Sequence, residues 1–184
     1  EIWEKLIDMQ GERCAYCECD LELGNRHIEH FVQRRKVPQE TFDWSNIFGS
    51  CCIGNTCGLR KDRVEAYDHS KIIKPDIDDP DSLLLFVSDG TIKPLRSLLG
   101  AELEKAQTTL RVFGLHHESG QLRNMRRQSI AGYIQTAETI AEYAELDPSN
   151  ELGWREELAE ELEKVKKLPF STAIRHMFES FIDC

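Results

Sequence analysis

Six of the seven cysteines lie within the first 57 residues, in two tight groups: CAYC at 14 to 17 with Cys19 just behind it, and Cys51-Cys52 with Cys57. No other feature limits the fold so strongly. From Gly11 to about Arg63 the chain is dense in Gly, Cys, Asn and turn formers. Such a segment has little apolar content from which to build a core, and a bound metal is the usual remedy. Zinc asks for four soft or borderline donors in a tetrahedron, and two short-spaced pairs, each on its own turn, supply them while closing the loop between. Cys14 and Cys17 form the first pair. Adjacent cysteines rarely both reach one ion, so the second pair is read as Cys51 with Cys57, Cys52 standing as the alternative to Cys51. Cys19 and Cys184 have no partner at useful spacing and read as ordinary thiols.

The odd cysteine count favours thiolates on zinc in a reducing cytoplasm over disulfides. The stretch EIWEKLIDMQGE agrees, because it lacks the basic-then-apolar order of a signal peptide. It does not begin with Met, so an upstream segment is an open expectation. No run approaches ~18 apolar residues, and no membrane span or membrane partner is expected. With 184 residues, 40% hydrophobic and 30% charged, the chain has the composition of a soluble globular protein of one domain or two small ones.

The net charge of -10 disfavours a stand-alone nucleic-acid binder, because phosphate attracts cations. The charge is uneven, however: residues 1 to 75 carry 11 Lys/Arg against 13 Asp/Glu, and the remainder 12 against 20. Arg34, Arg35 and Lys36 follow RHIEHF directly, and Arg60, Lys61 and Arg63 follow Cys57. Both basic clusters therefore flank the Cys/His region, and Arg34, Arg35, Lys36, Arg60 and Lys61 are the candidate nucleic-acid contacts.

Three units are expected. Residues 1–70 form the metal-braced module, led by a short helix with Ile2, Leu6 and Met9 at helical spacing. Residues 71–94 form a connecting segment, in which Pro75 and Pro80 break any helix, LLLFV reads as a buried strand and Asp89-Gly90 as a hairpin turn. Residues 95–184 read as a helical bundle. One stripe runs from Leu95 to Phe113 and ends at Gly114, a C-terminal cap. A longer second helix, capped by Ser119, carries Leu122 to Ala144, a third contains Trp154 to Val165, and a fourth begins at Ser171 or Thr172. Residues 138 to 163 hold ten acidic residues and one Arg, a composition that repels phosphate and suits a protein partner or plain solvent. HHESG at 116 to 120 and Arg123, Arg126 and Arg127 read as a solvated helix face in preference to a phosphate contact, and His69 and His176 as surface or packing residues.

Between the cysteine pairs lies RHIEHF. One histidine alone is usually structural, but two and a glutamate within four residues, inside a metal-braced loop, point to chemistry. In an extended strand His27 and Glu29 project one way, and Ile28 and His30 the other unless the strand bends.

The order CxxC, an acid-His dipeptide, Asn46, then a second cysteine pair followed by Lys resembles the HNH nucleases with a zinc-stapled ββα-metal fold. CAYCE at 14 to 18, HIEHF at 27 to 31, WSNIFGSC at 44 to 51, TCGLRKD at 56 to 62, KPDIDDPDS and LLFVSDGTI are similar to the HNH subunit of Septu-type antiphage systems, including those attached to retrons. The likeness covers roughly residues 10 to 95. It implies an α+β, mostly α fold and an endonuclease of bacterial immunity acting beside an ABC/SMC-like ATPase. It implies in turn a DNA or RNA substrate, and a retron reverse transcriptase with its DNA as further partners. By position His30 matches the general base, Glu29 the acidic ligand of a catalytic Mg2+ or Mn2+, and Asn46 the central N of the motif. The chemistry agrees: neutral imidazole can deprotonate water near neutral pH, and a carboxylate suits a hard divalent ion. Many HNH proteins place a further metal-ligating His or Asn just after the last cysteine, where this chain has Gly58 and Leu59. Asn46, Asn55, His27 and Asp62 are then the candidates for a third ligand. The competing reading, of a different class, is a zinc-ribbon binding or assembly module whose His and Glu are structural.

Overall fold

The path through residues 1–63 is dominated by turns. In the computed structural model, which describes residues 1–64, 66–116 and 120–182, helix α1 (Ile2–Gln10) leads into the CAYC turn. Strand β1 (Arg26–His30) pairs antiparallel with β2 (Ile47–Cys51), Glu29 standing opposite Phe48 and His30 opposite Ile47, and the five-residue helix α2 (Cys57–Lys61) follows. A ββα succession is thus present in the segment where it was expected. Of the lead-in stripe Leu6 is buried, whereas Ile2 and Met9 are about half exposed. The cover comes instead from Gln10, whose amide donates to Gly49 O at 2.9 Å and accepts from Gly49 N at 2.8 Å, occupying backbone groups of β2 as another strand would. That approach requires glycine, because a Cβ at position 49 would stand 2.9 Å from the Gln10 amide nitrogen and 3.0 Å from the Trp3 ring.

The connecting segment forms the expected ribbon, β3 (Leu84–Phe86) with β4 (Ile92–Pro94), closed through Asp89 and Gly90, the latter at φ 84°. Five helices follow: α3 (Gly100–Phe113), α4 (Gln121–Ala131), α5 (Ile134–Leu146), α6 (Glu151–Val165) and α7 (Ser171–Ile182). Gly114 ends α3 in the left-handed region at φ 66°, as its position predicts. The single long second helix expected from the Leu122 to Ala144 stripe is in fact two, α4 and α5, interrupted at Gly132 and Tyr133. Its proposed cap Ser119, His117 within HHESG, and Cys184 lie outside the described residues.

Arg126 departs from the expected solvated face. It is 1% exposed and donates to the carbonyls of Gly90 and Leu115, so it fastens α4 to the hairpin turn instead of facing water or phosphate. His176 is a packing residue: its Nδ1 accepts from Phe86 N and its Nε2 meets Asp81. His69 is exposed. One continuous buried cluster runs from Cys14, Cys17 and Cys19 through Phe31 and Phe48 to Phe113, Ile174, Met177 and Phe178. The cysteine turn also docks on the last helix: Glu18, at φ 62°, accepts from Thr172 N at 3.0 Å, Phe170 N donates to Glu18 O, and Arg13 donates to Leu168 O.

Candidate metal centre and catalytic cleft

Two turns bring four sulphurs together. The Sγ atoms of Cys14, Cys17, Cys51 and Cys57 all lie within 4.8 Å of one another and all four residues are buried, with no disulfide among them. Cys51 N donates to Cys14 Sγ at 3.4 Å, which fixes the first turn against β2. Cys57 sits at φ 51°, a conformation costly for a residue with a Cβ and tolerated where other contacts hold it. The crowding splits the acidities. Burial works against ionisation at Cys14, but hydrogen bonds from Cys17, Cys19, Cys51 and Cys57 carry its thiol well below the ordinary value. At Cys51 the contact with Cys14 acts upward, yet those with Cys17, Cys19 and Cys57 bring it down to about 4. Burial and neighbouring sulphurs push Cys17 and Cys57 up. Each thiol's acidity is thus set by burial and by its neighbouring sulphurs, and a divalent cation in their midst would favour ionisation. Four buried, converging sulphur donors fit a metal ion such as zinc.

The choice of Cys51 over Cys52 agrees with this cluster. Cys52 turns the other way and places its Sγ 3.4 Å from His27 Nδ1. Cys19, read as an ordinary thiol, is fully buried in the same core as the cluster, a proximity that its spacing alone does not reveal.

On the outer side of β1 an open cleft of about 770 Å³ is bordered by His27, Ile28, Glu29, His30, Gln33, Arg34, Arg35, Thr41, Leu59 and Asp62. Because β1 is paired along one edge alone, residues of both its faces reach this cleft, which reconciles strand alternation with the gathering of His27, Glu29 and His30. His30 Nε2 lies 3.0 Å from Thr41 O. A carbonyl only accepts, so Nε2 carries the proton and neutral His30 keeps its lone pair on Nδ1. Asn46 is 3% exposed and its amide is fully engaged: Oδ1 accepts from Val32 N at 2.7 Å, and Nδ2 donates to Val32 O and Glu40 O. It thereby ties the loop bearing Thr41 to the end of β1.

Glu29 is 2% exposed. Lys61 Nζ stands 2.7 Å from its Oε1 in a close ion pair, and His27 Nε2 stands 3.5 Å from its Oε2. Lys61, expected to contact nucleic acid, is corrected by this geometry. Its side chain is 0% exposed, and its ammonium is held by Glu29 and by Asp62 at 2.9 Å. Burial alone would lower the Lys61 pKa, but the Glu29 charge and the contacts its ammonium makes to the Glu29 and Asp62 carboxylates raise it, so the lysine stays charged inside the fold. Arg34, Arg35 and Lys36 are exposed, the first two on the rim of the cleft and Lys36 over the Tyr67 ring. Arg60 lies away from that rim, its Nε donating to Arg111 O.

The arrangement joins a buried carboxylate, an imidazole with a free lone pair and an arginine rim in one cleft, braced from behind by sulphur. No protein-family model matches the chain. Among curated proteins it is similar to "Septu protein PtuB" of Bacillus thuringiensis, 28% identical over 154 residues that make up 78% of this chain and 54% of that protein. It is also similar to "Retron Vc95 putative HNH endonuclease" of Vibrio cholerae serotype O1 biovar El Tor, 29% identical over 143 residues, 74% of this chain and 67% of that protein. The resemblance carried by the motifs is therefore matched across about three quarters of the chain. The chain spans about half the length of the first relative and two thirds of the second.

Proposed function

We propose that this chain is a metal-dependent HNH endonuclease that hydrolyses nucleic-acid phosphodiester bonds as an effector of antiphage defence, together with an ABC/SMC-like ATPase subunit. The observation that supports it most is the meeting of Glu29 and His30 at the arginine-rimmed cleft, on a strand whose partner β2 ends in a cysteine of the four-sulphur cluster. The names of the two relatives favour the same reading. His30 takes a proton from the attacking water at Nδ1, because Nε2 is committed to Thr41. Asn46 acts through position, holding the Thr41 loop and hence the imidazole in register. Arg34 and Arg35 receive the substrate backbone, with Lys36 and Arg60 farther along the surface. Glu29 is the carboxylate suited to a Mg2+ or Mn2+ ion, which when bound would neutralise charge on the departing oxygen.

In this reading residues 1–70 are the nuclease module on structural zinc, 71–94 connect, and 95–184 offer the acidic α5 and α6 surface to the ATPase. The substrate is DNA or RNA, with a retron reverse transcriptase and its DNA as further partners, in a cytoplasmic setting. Cleavage of labelled DNA and RNA, with and without the ATPase, tests it. His30→Ala should lower the rate by roughly 10²–10⁴-fold with folding and zinc content retained. An unchanged rate in that variant would favour the binding or assembly module instead.

A further inference from the structure

Glu29 presents its two oxygens to different neighbours. Oε1 faces the ammonium of Lys61, and Oε2 faces His27 Nε2 at 3.5 Å. Both atoms approach the backbone of α2 so closely that residue 58 must be glycine. A Cβ built there would overlap Glu29 Oε2 and stand 2.7 Å from Glu29 Cδ and 2.9 Å from His27 Nε2. The backbone of α2 thus points its missing side chain at the place where a carboxylate oxygen and an imidazole nitrogen converge. His27 is also oriented from its other side, by Cys52 Sγ at 3.4 Å from Nδ1. A partner on the second ring nitrogen is the usual way a ligating imidazole is aimed.

Asn46 spends its amide on Val32 and Glu40, and Asn55 Oδ1 accepts from Arg63. Asp62 borders the cleft with Oδ1 on Lys61, but the atoms nearest the Gly58 position belong to Glu29 and His27. Asn46 does not border the cleft, whereas His27 and Glu29 both do.

We infer that His27 Nε2 and Glu29 Oε2 are the two protein ligands of the cleft cation, brought together over the bare backbone of Gly58, and that the imidazole tilts this site toward Mn2+ over Mg2+. This rests on the proposed metal-dependent reading. Two ligand atoms about 2.1 Å from one ion at right angles are roughly 3 Å apart, close to the separation already present. Imidazole nitrogen suits transition ions, whereas Mg2+ prefers an all-oxygen shell and keeps much of its water. The exposed side of the cleft leaves room for water and a substrate phosphate.

The test is Mn2+ uptake by the full chain with its cysteine site loaded with zinc, read from the electron paramagnetic resonance signal of free Mn2+. The wild type should bind one ion and show nitrogen modulation in the pulsed spectrum, Mg2+ competing poorly. His27→Gln and Gly58→Ala should each weaken uptake roughly tenfold or more, and His27→Gln should abolish the nitrogen signal while His30→Ala keeps it. Circular dichroism melting separates ligand loss from misfolding, and the wild-type nitrogen signal stands without any variant. If the wild type binds Mn2+ without nitrogen modulation, or His27→Gln binds as the wild type does while Glu29→Gln fails, the inference is overturned and the metal-dependent reading survives. If the wild type takes up no Mn2+, or Glu29→Gln binds it unchanged, both fall.

Discussion

Between Gly11 and Arg63 the buried groups include five cysteines, Glu29, Gln33, Asn46, Ser50 and Lys61, beside a few apolar side chains such as Phe31 and Phe48. Between Gly100 and Ile182 they are almost all Ala, Val, Leu, Ile, Met, Phe and Trp, with Thr109 and Arg126 as the exceptions. The first region holds most of its polar groups inside by pairing them with partners of matched charge or hydrogen-bonding capacity, the buried Tyr16 hydroxyl being an exception. The second excludes water from hydrocarbon. The difference teaches where each can change: a matched polar site fails when one member is lost, whereas an apolar stripe loses stability in proportion to volume removed.

The largest expected effect follows from removing the metal from the four cysteines. Structural zinc supplies on the order of 10 kcal/mol at neutral pH, so chelation should unfold residues 11 to 63 while α3 to α7 keep most of their helicity. Hydrogen exchange read by mass spectrometry checks this, and simultaneous loss of protection in both regions would break the contrast. Next in size, Phe178→Ala, at a fully buried position of α7, should cost about 3–5 kcal/mol in denaturant unfolding with the zinc-to-protein ratio unchanged.

Smallest is an acid effect at Asp81, which links the turn before β3 to α7. Its hydrogen bond with His176 and the charge of Arg175 hold the Asp81 carboxyl below the ordinary carboxylate value, against the opposing influence of burial. A depressed folded pKa gives stability that is present above the unfolded value and is lost as pH falls through the folded one, here below about pH 4. Because Asp81 is about a third exposed, Asp81→Asn should remove at most about 1 kcal/mol near neutral pH and flatten the acid limb of a stability-against-pH curve.

The four-sulphur cluster was legible from the sequence because the spacing of its cysteines is local and their chemistry leaves few alternatives. The helices were legible through their stripes, save that Gly132 interrupts a pattern that runs on in register across it. Lys61 and Arg126 were not. Each sits among other basic residues, as a solvated face would. What buries them comes from far along the chain: Glu29 on β1 for the lysine, and the Gly90 carbonyl of the hairpin for the arginine. Apart from Asp62 beside the lysine, nothing in the nearby residues signals that an opposite charge or an open carbonyl will arrive. His27 is a milder case: its spacing from Glu29 is visible, whereas the close approach that makes the spacing matter depends on Gly58, on another element.

Glu18 adjoins Cys17 and at the same time grips the backbone at Thr172. The sulphur cluster and the C-terminal helix therefore share a hinge pin: a force that displaces α7 must either tear that grip or drag the neighbouring thiol with it. Strain applied to α7 reaches the brace behind the cleft through these hydrogen bonds and a single peptide link.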